Sequence, residues 1–228
     1  APVIFVAIAL TVLAGWTYGQ FFHFSKLSVA LPDQDAVYIH KGIARHRRVE
    51  FREVKSDGSR ERAELVTNGD VDLAFIQGGI PVPLHLPRLE ASGKERVLFF
   101  LREDLTLSDV RRVLTSIPDQ GSHSVAIDFL KIWSLHEKVE FVHEWDSLLE
   151  DNDYSLPGNI DAVFVVKDPT DEKALRVVKR LHDEGFPLTA PLLGVRQSRL
   201  TYLKPFEIPV GHLSFDPPLP AEPLSTYA

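Results

Sequence analysis

The 228-residue sequence predicts an α/β protein with two similar lobes, preceded by one N-terminal transmembrane helix. Strand-like and helix-like segments alternate along the chain, which is typical of parallel sheets covered by helices. One sequence pattern occurs twice: a Gly-Ser turn, a helical stretch, and a later apolar strand that begins with an aliphatic residue and Asp. The first 25 residues carry no formal charge.

Composition narrows the function classes. The net charge of −7 argues against nucleic-acid binding, which needs a basic face. Because the chain has no Cys, disulfides, thiol catalysis and Cys-ligated zinc are excluded. It also has no Met, even at position 1, so we expect a processed chain or a fragment.

Residues 1–25 form the predicted membrane anchor. Residues 3–15 are almost wholly apolar, and aromatic residues typical of a membrane interface follow at Trp16, Tyr18, Phe21 and Phe22. A span needs ~20 apolar residues, which this stretch just meets. A cleaved signal peptide is the main alternative, with Leu13-Ala14-Gly15 as a weak cleavage site, and a buried core helix is another. We favour an uncleaved anchor with the rest of the chain on one side of the membrane.

The elements of the first lobe follow from local patterns. Alternating apolar and charged residues predict a half-buried strand over 49–54, and the continuous apolar run over 71–76 predicts a strand buried on both faces. Asn68-Gly69 is a typical end for the helix between them. The predicted order is strand 27–31, helix 36–46, strand 49–54, helix 60–67 and strand 71–76.

A Pro-rich connection over 78–87, which cannot be regular structure throughout, follows the strand over 71–76. The second half repeats the alternation, and its last helix has a strong amphipathic pattern that ends at Gly185. The predicted strands are 96–101, 113–117, 139–142 and 160–166, and the predicted helices are 107–112, 124–135, 145–150 and 171–184.

The two Gly-Ser turns are the candidate anion sites. Gly58-Ser59 and Gly121-Ser122 each follow a predicted strand and begin a helix. Free backbone N–H groups and a Ser hydroxyl at a helix start favour a carboxylate or phosphate, and ligands of α/β sheets bind beyond the carboxyl ends of the strands. Ordinary N-capping by Ser, without a ligand, is the alternative.

Other polar residues border the predicted strands. Asp72 and Asp161 could reach into a cleft between the lobes or simply accept hydrogen bonds from local amides in a turn. Gln77-Gly78-Gly79 ends a strand where ligands approach, although a plain turn explains it as well. The nine His show no metal-ligand spacing, and no Gly-x-Ser-x-Gly elbow is present. We therefore expect no metal, no cofactor and no enzymatic activity.

Several of these motifs, in this order, resemble the type II periplasmic solute-binding proteins, and among them the TAXI branch of TRAP-transporter receptors. In the first lobe the motifs are Gly58-Ser59, Asn68-Gly69, Asp70-Val71-Asp72 and Ala74-Phe75-Ile76-Gln77-Gly78. In the second they are Leu107-Ser108-Asp109-Val110, Gly121-Ser122-His123-Ser124, which is similar to the family's Gly-Ser-Gly-Thr, and Ile160-Asp161-Ala162-Val163-Phe164. Ile208-Pro209-Val210-Gly211-His212-Leu213 is similar to the family's return segment.

The resemblance implies an extracytoplasmic or periplasmic solute receptor of a TRAP-type transport system, tethered to the membrane. A small organic acid or amino acid would bind between two lobes, one made of 26–101 and 191–228 and the other of 102–190, and a TRAP membrane subunit would be a partner. The implied ligand-binding residues are Tyr38, Gly58, Ser59, Gln77, Gly78, Gly121, Ser122, His123, Ser124 and Asp161.

The sequence departs from the family at its first loop. Where the family has a Gly-rich loop with aromatic residues, this chain has Pro32-Asp33-Gln34-Asp35-Ala36-Val37-Tyr38. Two carboxylates there disfavour an anionic solute. The alternative hypothesis is therefore a membrane-tethered sensor or interaction module on the same fold that has lost its solute, with the cleft filled by its own side chains.

Overall fold

The computed structural model describes residues 11–15, 17–18, 25–32, 39, 41–42, 49–77, 80–89, 95–191, 200 and 202–228. The chain divides into two units, Ala1–Ile76 and Gln77–Ala228, and both are mixed α/β assemblies as the sequence predicts. Among the described residues, no helix is long and apolar enough to cross a membrane. Of the predicted anchor, residues 11–15, 17–18 and 25 are described; 11–15 and 17–18 are helical, and Ser25 begins β1. The transmembrane helix over 1–25 thus remains a prediction without structural support.

The first unit contains three parallel strands in the order β2-β1-β3. They are β1 Ser25–Ala30, β2 Val49–Val54 and β3 Leu73–Ala74, and helix α1, Ser59–Asn68, connects β2 to β3. Helix α1 ends at Gly69, whose φ of 77° is the left-handed conformation that Gly adopts without strain, so the predicted helix end is confirmed. Most of the predicted helix over 36–46 lies outside the described residues.

Strand β3 differs from its prediction. Only two residues pair with β1, and both Leu73 and Phe75 are exposed, so the expectation of a strand over 71–76 buried on both faces is wrong. Within the described part of the sheet, β3 lies at an edge and pairs on one side only. A continuous apolar run therefore did not guarantee cover on both faces.

The second unit is built on a five-stranded sheet in the order β6-β5-β7-β4-β8. Strand β5 is parallel to β6 and β7, whereas β4 is antiparallel to β7 and β8. The strands are β4 Arg96–Leu101, β5 Arg112–Leu114, β6 Glu140–Val142, β7 Ala162–Lys167 and β8 Leu188–Thr189. The helices are α2 Gly121–Ile132, α3 Trp145–Glu150 and α4 Glu172–Asp183, with short 3-10 turns at Leu107–Asp109 and His136–Lys138.

Alternating side chains of this sheet fill two cores. Leu98, Phe100 and Leu114 belong to one buried cluster that includes residues of α3 and α4. Val97, Phe99 and Val113 belong to a second cluster that includes residues of α2. A strand that is covered on both faces has a continuous apolar sequence, and for this reason β4 and β7 could be predicted.

The C-terminal segment also belongs to the second unit. Its strands are β9 Pro205–Ile208, β10 Ser214–Phe215, β11 Pro218–Leu219 and β12 Leu224–Tyr227, which form two antiparallel pairs, β9 with β12 and β10 with β11. Ile208, Leu213 and Leu219 are buried in the same cluster as Leu98. We expected 26–101 and 191–228 to share a lobe. The structure instead groups 77–101 and 202–228 with the second unit, because β4 supplies side chains to both of that unit's cores.

The two units share a strand order but not the position of their Gly-Ser turns. In β2-β1-β3 and in β6-β5-β7, the first strand in sequence lies between the second and the third, and all run parallel. The first Gly-Ser turn follows the second strand of its parallel trio, β2, whereas the other follows the first strand of its parallel trio, β5. The second copy is the longer one, because strand β6 and helix α3 lie between its helix α2 and strand β7. The two turns are therefore not equivalent in topology.

Candidate functional site

The two repeated Asp residues occupy equivalent structural positions. Asp72 precedes β3, and its Oδ2 accepts hydrogen bonds from the Ser28 amide and hydroxyl, both at 2.7 Å. Asp161 precedes β7, and its Oδ2 accepts from the amides of Arg111 and Arg112, at 2.8 and 2.9 Å. Each carboxylate therefore ties the start of the third strand of a parallel trio to the first strand of that trio.

This placement bears on the predicted role of Asp161. It lies at the amino end of β7, whereas ligands of such sheets bind beyond the carboxyl ends. The structure does not bring Asp161 together with Ser122 and His123, and it favours the turn interpretation. In the first unit, the Ser28 amide and hydroxyl hold the pKa of the Asp72 carboxyl below its ordinary value.

The start of α1 contains a buried hydrogen-bond network. Gly58 is the extended N-cap residue, and the buried Ser59 hydroxyl accepts a hydrogen bond from Arg62 Nη2 at 2.9 Å. The buried Arg62 guanidinium also donates to the Phe75 carbonyl at 2.7 Å and contacts Ser56 Oγ at 3.4 Å. Ser59 therefore positions Arg62, a residue that the sequence analysis missed. Its spacing from Ser59 within one helix was the available signal.

The carboxyl ends of β5, β6 and β7 meet at the start of α2. Ser122 is buried there, and its Oγ accepts a hydrogen bond from the Val166 amide at 3.0 Å and donates to the Val166 carbonyl at 3.3 Å. This pair of bonds ties α2 to β7. The hydroxyl that was predicted to hold an anion is instead used by the fold.

Gln77 lies directly against Gly121. A Cβ added to Gly121 would lie 2.3 Å from Gln77 Oε1, so only Gly allows this approach. Gln77 Nε2 donates to Glu95 Oε2 at 3.0 Å and to the Val166 carbonyl at 3.5 Å. Two predicted site residues that are far apart in sequence are thus brought together at the helix start.

Two imidazoles lie beside this helix start. The His123 amide donates to Ser116 Oγ at 3.1 Å, and the His123 ring centroid is 5.1 Å from that of His143 and 4.9 Å from that of Phe141. His143 Nδ1 is 2.8 Å from the Ser116 carbonyl oxygen, which can only accept, so Nδ1 carries the hydrogen. Neutral His143 therefore presents Nε2 as an acceptor, and the protonated ring presents it as a donor.

The site thus differs in part from the predicted one. Ser124 lies in the first turn of α2, and its amide donates to the carbonyl oxygen of the N-cap residue Gln120 at 3.4 Å. Gly58 and Ser59 belong to the first unit, and Tyr38 and Gly78 lie outside the described residues. Sequence reasoning missed Ser116 and His143, because only the pairing of β5 with β6 brings them to the start of α2. Within the described part of the chain, no group of three His, Cys, Asp or Glu is placed to hold a metal ion.

A polar cavity lies between α3 and α4, with a volume of about 90 Å³. Its cationic side chains already have partners within the fold. Lys173 Nζ is 2.6 Å from both Glu150 carboxylate oxygens, and Arg180 donates to the carbonyls of Leu148, Asp151 and Asn152. These bonds close the carboxyl end of α3 and fasten it to α4, so the cavity is explained by helix packing.

No protein-family model matches the sequence, and no curated protein is similar to it. Among solved structures, the chain is similar to the periplasmic aliphatic sulphonate binding protein SsuA from Escherichia coli, with 15% identity, coverage of 72% of this chain and 59% of that one, and a TM-score of 0.43. It is also similar to the SsuA protein from Xanthomonas axonopodis pv. citri bound to MOPS, with 14% identity, coverage of 73% and 60%, and a TM-score of 0.42. A third is the CcmR regulatory domain from Synechocystis PCC6803 in complex with 2-PG, with 11% identity, coverage of 63% and 73%, and a TM-score of 0.39.

The chain spans about three fifths of the length of the two sulfonate-binding proteins. The neighbours are solute-binding proteins and a regulatory domain, and they do not confirm the resemblance to TAXI receptors, which stays a prediction.

Proposed function

We propose that this chain is a small-solute-binding protein whose second unit recognises an oxyanion at the start of α2. One observation carries the proposal: the carboxyl ends of three strands converge on the first residues of α2, a helix of twelve residues. Gly121 there has no side chain, and the imidazoles of His123 and His143 lie beside it. Helix starts favour anions because their backbone N–H groups and the macrodipole both present positive charge.

Each residue has a proposed role. Protonated His143 donates from Nε2 to the solute, while its Nδ1 stays on the Ser116 carbonyl. Ser122 and Ser116 position the helix rather than contact the solute, because their hydroxyls bind Val166 and the His123 amide. The Gln77 carboxamide lies against Gly121, and the solute displaces it to reach the helix start.

The solute class and location rest on the sequence. The resemblance to TAXI receptors supports a small organic acid or amino acid as the solute and a TRAP membrane subunit as a partner. The uncharged, apolar residues 1–25 support tethering of an extracytoplasmic or periplasmic domain to the membrane. Non-enzymatic binding remains part of the proposal.

One observation favours the second candidate, a sensor or interaction module that has lost its solute. The Ser59 and Ser122 hydroxyls are both used inside the fold, and the Gln77 side chain covers Gly121. In that case Gln77 is a permanent internal substitute for the solute, since its carboxamide supplies the polar atoms at the helix start.

A calorimetric screen of the full chain against organic acids, amino acids and short alkanesulfonates tests the proposal. We expect saturable binding of at least one class, a roughly fivefold or greater loss of affinity in His143→Gln and a gain in Gln77→Ala, because a charged hydrogen bond is lost and a displaced group is removed. His136→Gln serves as the control, since it removes a different His of the same unit.

The outcomes separate the two candidates. Binding by the wild-type chain that His143→Gln weakens and His136→Gln leaves intact supports the receptor. Binding by Gln77→Ala alone supports the module whose site is internally filled. A folded chain that binds nothing in either form contradicts an oxyanion site at the start of α2.

A further inference from the structure

The carboxyl end of β5 carries a buried hydroxyl that the proposed site leaves unused. Thr115 directly follows Leu114, the last residue of β5, and 0% of its surface is exposed. Within the described part of the chain, Thr115 Oγ1 has no hydrogen-bond partner. The other buried Ser and Thr hydroxyls described in this unit each bind an amide or a carbonyl, and they belong to Ser116, Ser122 and Thr226. A buried hydroxyl without a partner costs free energy, so its presence needs a reason.

The alternation of side chains along β5 directs Thr115 to the face of the sheet that α2 covers. Val113 belongs to the buried cluster that includes residues of α2, and Leu114 belongs to the cluster on the opposite face. Because successive side chains of a strand point to opposite faces, Thr115 returns to the face of Val113. The Thr115 amide donates to the Val142 carbonyl of β6 at 2.9 Å, so the pairing of the two strands extends to this residue.

The same register places Thr115 beside the imidazole that is proposed to bind the solute. Val113 pairs with Phe141 of β6. Two residues further along both strands, Thr115 lies next to His143. The rings of Phe141 and His143 are stacked, with centroids 6.2 Å apart, so His143 also faces α2. The His123 ring, from the start of α2, packs against both of these rings. The Thr115 hydroxyl and the two imidazoles therefore belong to one polar group at the start of α2.

We propose that Thr115 is a solute-binding residue, whose hydroxyl donates a hydrogen bond to the same oxyanion that His143 contacts. This inference rests on the proposed function and adds a specificity-determining residue to it. A hydroxyl can rotate to donate to an anionic oxygen, and such a bond is strong where water is excluded. Because Thr115 has no exposed surface, the solute reaches it only when covering side chains move, as proposed for Gln77. That depth favours a small oxyanion group at the buried end of the solute.

NMR titrations of the full chain with acetate, methanesulfonate and inorganic phosphate test the inference. Thr115→Val removes the hydroxyl and nearly keeps the shape of the side chain, and we expect it to weaken binding roughly tenfold. Thr115→Ser keeps the hydroxyl, and its affinity should stay within about threefold of the wild type. Thermal unfolding is the second measurement. Removal of an unpartnered buried hydroxyl should leave the melting temperature of Thr115→Val unchanged or raise it.

Thr226→Val is the matched control. Thr226 is also buried in the second unit, but its hydroxyl donates to the Val97 carbonyl of β4. We expect Thr226→Val to lower the melting temperature by about 2–4 °C, because a buried acceptor loses its donor. The affinity for the three probes should not change. This is the reverse of the pair of results expected for Thr115→Val.

Four outcomes overturn the inference, and they separate it from the proposed function. Binding that His143→Gln weakens and Thr115→Val leaves intact overturns this inference alone. A lower melting temperature of Thr115→Val with unchanged affinity identifies an internal water as the partner of the hydroxyl. Equal losses of affinity in Thr115→Val and Thr115→Ser assign the effect to packing. A folded wild-type chain that binds none of the three probes overturns both the inference and the proposed site.

Discussion

The starts of α1 and α2 carry the same Gly-Ser dipeptide, yet the chain uses the two serines differently. Ser59 accepts a hydrogen bond from Arg62, three residues later in its own helix. Ser122 instead binds both polar groups of Val166, on a neighbouring strand. The repeated Asp residues are used alike, since Asp72 and Asp161 each accept a hydrogen bond from the amide of a residue in the first strand of their parallel trio, Ser28 and Arg112. The dipeptide therefore marks a helix start, whereas the Asp marks the repeated architecture.

Removal of Asp161 is expected to have the largest effect on stability. Asp161→Ala leaves the amides of Arg111 and Arg112 without their acceptor, which we expect to lower the free energy of unfolding by about 3 kcal/mol. Urea denaturation measures the change. Asp183→Ala, at an exposed position, is the control and should change it by less than about 0.5 kcal/mol. Equal effects of the two substitutions would contradict a structural role for the Asp161 carboxylate.

Replacement of the two serines is expected to lower the free energy of unfolding by smaller and unequal amounts. Ser122→Ala removes the partner of the buried Val166 amide, for an expected loss of about 2 kcal/mol. Ser59→Ala should cost about 1 kcal/mol, because Arg62 keeps the Phe75 carbonyl and Ser56 as partners. Denaturation of both variants tests the comparison, which fails if Ser59→Ala proves the more damaging of the two.

A double-mutant cycle sharpens the account of the α2 start. Gly121→Ala forces Gln77 to move, for an expected cost of about 1 kcal/mol. In the Gln77→Ala background the cost should vanish, because the colliding side chain is gone. Gly158→Ala is the control, since its added Cβ would meet no atom within 4 Å. An unchanged cost in the double variant would show that Gly121 is required for another reason.

The smallest expected effect is on how the free energy of unfolding changes with pH in the acidic range. Hydrogen bonds from Ser28 lower the pKa of Asp72 from 3.8, and those from Thr106 lower that of Asp109. The stabilisation from a lowered carboxyl pKa is complete above the unfolded value and disappears as the pH falls through the folded value. Asp72→Asn should therefore be less stable than the wild type at neutral pH and approach it below pH 3.8. Chemical denaturation at several pH values measures this, and a constant difference across the range would contradict it.

Local chemistry made much of the fold predictable. Asn68-Gly69 and Gly185 end α1 and α4 in the left-handed region, with φ of 77° and 83°, as expected of Gly after a helix. The apolar run over β4 and the amphipathic pattern over α4 also predicted these two elements correctly. Local patterns do not reveal strand order, however. For that reason the sequence could not show that 77–101 and the C-terminal strands join the second unit.

The site was less predictable than the fold because its contacts are long-range. Gln77 reaches Gly121 across a large sequence separation, and His143 reaches His123 only through the pairing of β5 with β6. Gly121 and Ser122 became site candidates from the predicted helix start, and His123 from the resemblance to the family's Gly-Ser-Gly-Thr. The partners of Ser122 and His123, Val166 and Ser116, could be found only from the sheet topology.

An NMR titration of the full chain tests the central claim most directly. The claim is that an oxyanion binds at the start of α2, and the nine His of the chain provide internal probes. We predict that a solute identified by calorimetry shifts the imidazole resonances of His123 and His143 more than those of the other seven. Saturable binding that shifts other His residues and leaves these two unchanged would contradict the claim.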